Sequence, residues 1–127
     1  MIAVDTSALM AIVLGEPQAG TCIDALEAAD EILISAGTVA ESLIVAARRD
    51  VGDEMNRLID GLGLNVVSVT QASAPRIAQA YALWGKGIHP AGLNLGDCFA
   101  YDVAKQHDCA LLYVGDDFAK TDIAKAA

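Results

Sequence analysis

Basic residues are scarce in this chain: eight lysines and arginines stand against seventeen acids, a formal net charge of −9. A protein that gripped nucleic acid by its overall field would be basic. Any polyanion handled here must therefore be met by bound cations, a local basic patch or a partner subunit. Cysteine is nearly absent too. Cys22, Cys98 and Cys109 are an odd number with no C-x-x-C spacing, which excludes a disulfide framework or a cysteine zinc site and leaves small, reduced, mostly buried thiols. The two histidines, His89 and His107, lie in no ligand-like spacing. No apolar run approaches the ~20 residues of a membrane span. The opening MIAVDTSALM has no basic stretch ahead of its apolar residues, unlike a secretory leader. A cytoplasmic protein with no membrane attachment is expected.

What is present is apolar content in short segments. Hydrophobic residues make up 54% of the 127, which argues against disorder and suits one domain spanning 1–127. Ile2–Val4 reads as a buried strand that turns at Asp5-Thr6-Ser7 into a helix closed by Gly15. Pro17 opens a second helix over Gln18–Ala29. ILIS at 32–35 is the second strand. A third helix begins at Gly37-Thr38, with Thr38 as its cap and Glu41 completing a capping box. It runs to about Asp50 and presents Ala40, Leu43, Ile44 and Ala47 inward. A fourth helix follows over Asp53–Leu62, then a strand over Asn65–Thr70. A helix capped by Thr70 or Ser73 continues through Trp84. Gly85–Gly96 holds glycines and Pro90 and is a loop. A helix from Asp97 to about His107, a strand over Ala110–Val114 and the turn Gly115-Asp116-Asp117 complete the pattern, with a short helical or irregular tail after Phe118. Strands alternating with helices specify an α/β fold with a mainly parallel sheet.

In such sheets sites form outside the carboxyl ends of the strands. Asp5 ends the first strand, and Asp116 and Asp117 follow the last. Glu41 and Asp97 sit in first turns of helices that begin on that same side. Each acid alone could be a cap or a turn residue. Converging carboxylates, however, repel by about 4 kcal/mol per pair at 4 Å, unless cations lie among them. No lysine or arginine adjoins Asp5, Glu41 or Asp97 in the chain. Hard oxygen donors suit Mg²⁺ or Mn²⁺.

VDTSAL, the helix bearing Glu41, GLNLGDCFAYDVAK and LLYVGDDFAKTDI together resemble the PIN-domain ribonucleases, specifically the VapC-type toxins of bacterial toxin–antitoxin pairs. The resemblance covers the whole chain in order. It implies a three-layer α/β/α domain and a Mg²⁺- or Mn²⁺-dependent endoribonuclease. Asp5, Glu41, Asp97 and Asp116 would form the acidic quartet, with Asp117 as a substitute for Asp116. It implies an RNA substrate, a cognate antitoxin and a homodimer. Thr6 and Ser7 would support the carboxylates or simply cap the first helix. Lys86, His89, Arg48 and Arg49 are candidates for RNA phosphates, with solvated surface as the plainer reading. Asp102 stands where the family leads one to expect an apolar residue, and Lys105 three positions on offers it a surface partner. A final edge strand after TDI would be rudimentary. Two other functions compete: an inactive PIN-like module that only binds a partner, and an aspartate-nucleophile phosphatase. The latter usually carries D-x-D at its first strand, and this chain has Asp5-Thr6-Ser7.

Overall fold

The computed structural model describes residues 1–127. Four strands, β1 (Ile2–Val4), β2 (Ile32–Ser35), β3 (Asn65–Val67) and β4 (Ala110–Leu112), form one sheet in the order β3-β2-β1-β4. Every pairing is parallel, with Ile2 opposite both Ile32 and Ala110, and Leu33 opposite Asn65. The intervening helices are α1 (Thr6–Leu14), α2 (Ala19–Ala28), α3 (Ala36–Arg48), α4 (Gly52–Gly61), α5 (Ser73–Trp84) and α6 (Leu95–Gln106). No helix is long and apolar enough to cross a membrane.

Alternate strand residues supply two cores. Ala3, Leu33 and Leu111 face α5 and α6, where they meet Ile77, Cys98 and Tyr101. Val4, Ile34 and Leu112 face the other way, onto Leu9, Cys22, Leu26 and Met55. Because both faces are covered, the strands read as unbroken apolar runs instead of alternating ones. The result is the expected three-layer α/β/α arrangement. All three cysteines are free thiols, two of them buried.

Differences from the sequence reading have local causes. β3 ends at Val67, short of Thr70, because the chain there turns to start α5. The Thr70 amide donates to Ser73 Oγ at 2.6 Å, and the Ser73 amide donates to Thr70 Oγ1 at 3.3 Å. β4 ends at Leu112, short of Val114, because the Val114 amide donates to Ser7 Oγ at 3.0 Å. Gly15, at φ 65°, closes α1 as expected. After a short 3-10 turn at Phe118–Lys120, the tail makes one parallel bridge between Leu111 and Lys125. That is the rudimentary edge strand.

Two expectations are overturned. The inner face of α3 is Thr38, Ser42 and Ala46, all buried; of the four residues expected there Leu43 packs, partly buried, against the core, while Ile44 is 56% exposed and Ala40 and Ala47 are exposed as well. Apolar periodicity put the wrong stripe inward, because this helix packs with small and hydroxyl side chains next to the acids. Asp102 is also not a surface partner of Lys105. It is buried, and the Arg76 guanidinium reaches it from α5 with two bonds, at 2.8 and 3.2 Å. Lys105 instead pairs with Asp122 at 3.0 Å. Asp122 also accepts from the Tyr101 hydroxyl, which accepts from the Trp84 indole. A paired, twice-bonded carboxylate is tolerated where a lone one would not be.

Candidate active site

The acids sit at the carboxyl edge of the sheet, delivered by the ends of β1 and β4 and the starts of α3 and α6. Asp5 is the innermost, at 3% exposure. It caps α1: its Oδ2 accepts from the Ser7 amide at 3.0 Å and the Ser7 hydroxyl at 2.6 Å. Its Oδ1 is buried with no hydrogen-bond partner. Burial pushes its pKa from 3.8 up to about 7. The Ser7 bonds oppose that rise, while Asp97 and Glu41 add to it. Ser7 thus does two jobs, since the same hydroxyl receives the Val114 amide from the end of β4.

Glu41 does not form the expected capping box. Ser35 caps α3 by accepting from the Gly37 amide, and Glu41 turns inward to accept from the Thr6 hydroxyl at 2.6 Å. Thr6 in turn accepts from the buried Ser42 hydroxyl at 3.1 Å. On its other side Glu41 Oε2 lies against Gly96, so closely that a Cβ there would overlap the carboxylate. Gly37 plays the matching part on α3, since a Cβ on it would stand 2.6 Å from the Phe99 ring. Two glycines therefore let the first turns of α3 and α6 approach, and Glu41 and Asp97 with them. Alanine at a helical glycine ordinarily stabilises by about 1 kcal/mol. For Gly96→Ala we expect no such gain in a melting curve.

Asp97 is held by its own helix start. Asn94 and Asp97 form a full reciprocal capping box: the Asp97 amide donates to Asn94 Oδ1 at 2.8 Å and the Asn94 amide to Asp97 Oδ2 at 3.0 Å. α6 consequently begins at Leu95, two residues before Asp97. Burial pushes the Asp97 pKa up to about 6. The Asn94 bond opposes this, while Glu41 and Asp117 contribute to it. Of the aspartate doublet, Asp117 is the member whose charge bears on Asp97. Asp116 borders a separate cleft of about 420 Å³ with Gln18, Thr21 and Lys125.

No three His, Cys, Asp or Glu side chains are grouped tightly enough to hold an ion as they stand. The donor set nonetheless fits a hard cation. Asp5, Glu41 and Asp97 each commit one oxygen to the protein, at Ser7, Thr6 and Asn94, and leave the other free of any donor. No guanidinium or ammonium is bonded to any of the three, since the four ion pairs lie elsewhere.

Among the surface candidates, His89 packs edge-on to Trp84 and accepts from the Ala91 amide at 3.0 Å, which gives it a structural task in its loop. Arg48 and Arg49 are exposed at the end of α3. Lys86 rims an apolar groove of about 640 Å³ that runs past Tyr81 and Phe99 to Asn94 and Leu95 at the head of α6. Ser42 escaped sequence reasoning, being a small polar residue inside a helix. Its one signal was the lack of an apolar residue immediately after Glu41.

The PIN domain family model matches residues 2–124. Ribonuclease VapC42 of Mycobacterium tuberculosis is 42% identical over 127 residues, covering 97% of this chain and 97% of its own. Ribonuclease VapC36 of the same species is 43% identical over 124 residues, covering 94% of this chain and 89% of its own. Among solved structures, Mycobacterium tuberculosis VapC20, a sarcin-ricin loop cleaving toxin, matches with a TM-score of 0.80 at 15% identity over 98% of both chains. A toxin–antitoxin complex from Klebsiella pneumoniae matches with a TM-score of 0.70 at 22% identity over 96% of this chain and 93% of that one. At those identities the solved structures speak for the fold. The sequence relatives, alike along the whole chain, place this protein in the PIN-domain family, among its VapC ribonucleases.

Proposed function

We propose that this chain is a divalent-cation-dependent endoribonuclease that hydrolyses RNA phosphodiester bonds with an activated water, and that it acts as the toxin of a toxin–antitoxin pair. The observation that carries the reading is the shared state of Asp5, Glu41 and Asp97, each with one oxygen anchored and one free. Those three would hold Mg²⁺ or Mn²⁺, with Asp116 as the fourth carboxylate or Asp117 as its substitute, and the influence of the Asp117 charge on Asp97 supports the substitute. A bound ion would polarise the scissile phosphate, acidify a water and neutralise the leaving oxygen.

The remaining work belongs to the chain. Ser7 and Asn94 fix the orientation of Asp5 and Asp97, so little reorganisation is needed when a substrate arrives. Glu41, half-buried at the head of α3, would orient the attacking water and accept its proton. Cations held at this edge would also answer the repulsion that a chain of net charge −9 presents to RNA. The apolar groove beside Asn94 suits a protein partner more than a polyanion, which supports an antitoxin or a second copy docking next to the acids. A cytoplasmic location follows from that role.

A partner-binding module without activity is the second reading, and the apolar groove beside Asn94 and Leu95 favours it. One experiment separates the two. With Mn²⁺ the protein should fragment RNA, with EDTA it should leave RNA whole, and Mn²⁺ at a hundred times its Kd should stabilise the fold by about 2.7 kcal/mol. An unchanged melting curve with intact RNA would establish the inactive module.

A further inference from the structure

We infer that Ser42 is a positioning residue for the reaction: through Thr6 it sets the orientation of Glu41. This rests on the nuclease reading above. A hydroxyl carries one proton and accepts with its remaining lone pairs. Thr6 gives its proton to Glu41 Oε1 at 2.6 Å, so its oxygen needs a donor from elsewhere. Ser42 supplies that donor at 3.1 Å from a site with 0% exposure, where water cannot replace it.

Serine inside a helix commonly turns its proton back to the carbonyl four residues earlier. Here it crosses to α1 instead, so the bond joins two helices and not one turn. The resulting chain runs one way, from Ser42 to Thr6 to Glu41. Glu41 cannot swing toward α6, because its Oε2 already rests on Gly96. The Thr6 hydroxyl is therefore the restraint that decides where Glu41 points, and Ser42 decides where that hydroxyl points. Without Ser42 the Thr6 proton is free to rotate away.

The test is a double-mutant cycle with Ser42→Ala and Glu41→Ala. In metal-free protein the side-chain carboxyl ¹³C signal of Glu41 should move in the Ser42→Ala variant. The same variant should bind Mn²⁺ about 10-fold more weakly and lose cleavage in kcat with KM for RNA unchanged. In the Glu41→Ala background, Ser42→Ala should change neither quantity further. A wild-type carboxyl signal and Mn²⁺ affinity in Ser42→Ala, or an equal loss in both backgrounds, would overturn the inference. Should Ser42→Ala fail to fold, Ser42→Cys keeps the volume with a much weaker donor and carries the same readouts. If the wild type neither binds Mn²⁺ nor cuts RNA, the nuclease reading has failed, and the carboxyl signal alone still decides whether Ser42 orients Glu41.

Discussion

Asp5→Asn should lower Mn²⁺-dependent RNA cleavage by at least about 100-fold while leaving the fold intact. Residues that merely support a ligand cost about 10- to 100-fold on removal, and Asp5 would be a ligand itself. The fold survives because asparagine keeps a carbonyl oxygen that can accept from the Ser7 amide and hydroxyl, as Oδ2 does now. What it loses is the charge of the buried, unpartnered Oδ1. The measurement is initial cleavage rate over a Mn²⁺ titration, with circular dichroism to confirm structure. Wild-type activity in Asp5→Asn would remove the innermost acid from the mechanism and with it the proposed site. Growth arrest on expression, relieved by the same substitution, is the cellular counterpart.

The same substitution should have the opposite effect on stability. In metal-free protein Asp5 titrates at about 7, against 3.8 for an unburied aspartate. Between those values the folded state binds more protons than the unfolded one, so stability falls as pH rises. The contribution is fully present below about pH 4 and lost by about pH 7. A gap of that size is worth about 4 kcal/mol. Asp97, pushed up to about 6, works in the same direction. Asp122, whose bonds to Tyr101 and Lys105 hold it below its ordinary value despite its burial, loses stability only at more acid pH. Denaturant melts should therefore show the metal-free protein more stable at pH 5 than at pH 7.5. Asp5→Asn should flatten that slope and exceed the wild type at pH 7.5 by up to about 4 kcal/mol. Saturating Mn²⁺ should flatten it too, by compensating the charge instead of removing it. A pH-independent wild type would mean that Asp5 is not under the electrostatic strain its burial implies.

The two outcomes together would describe a site whose charge is costly to the fold and useful to the reaction. That trade is common where carboxylates converge.

Element order, the parallel sheet, the two-faced core and the placement of Asp5, Glu41 and Asp97 at one sheet edge were all determined by the sequence on its own. Each depends on short-range signals: apolar runs of strand length, glycine and proline breaks, and acids directly after strands or in first turns. The tertiary structure alone decided what those acids touch. Thr38-x-x-Glu41 matches a capping box, yet Ser35 takes the cap and Glu41 turns to Thr6, 35 residues away. Ser42, 36 residues from Thr6, and Ser7, 107 from Val114, acquire their partners only when α1, α3 and β4 meet. Asp102 finds Arg76 across 26 residues and not Lys105 across one turn. In the doublet, it is the charge of Asp117 that adds to the rise of the Asp97 pKa, across 20 residues of chain. The physical reason is the same in every case. Backbone propensity and apolar periodicity are local and survive in the unfolded chain. A side-chain hydrogen bond goes to whichever donor the packed helices bring nearest, and that neighbour is not written beside it in the sequence.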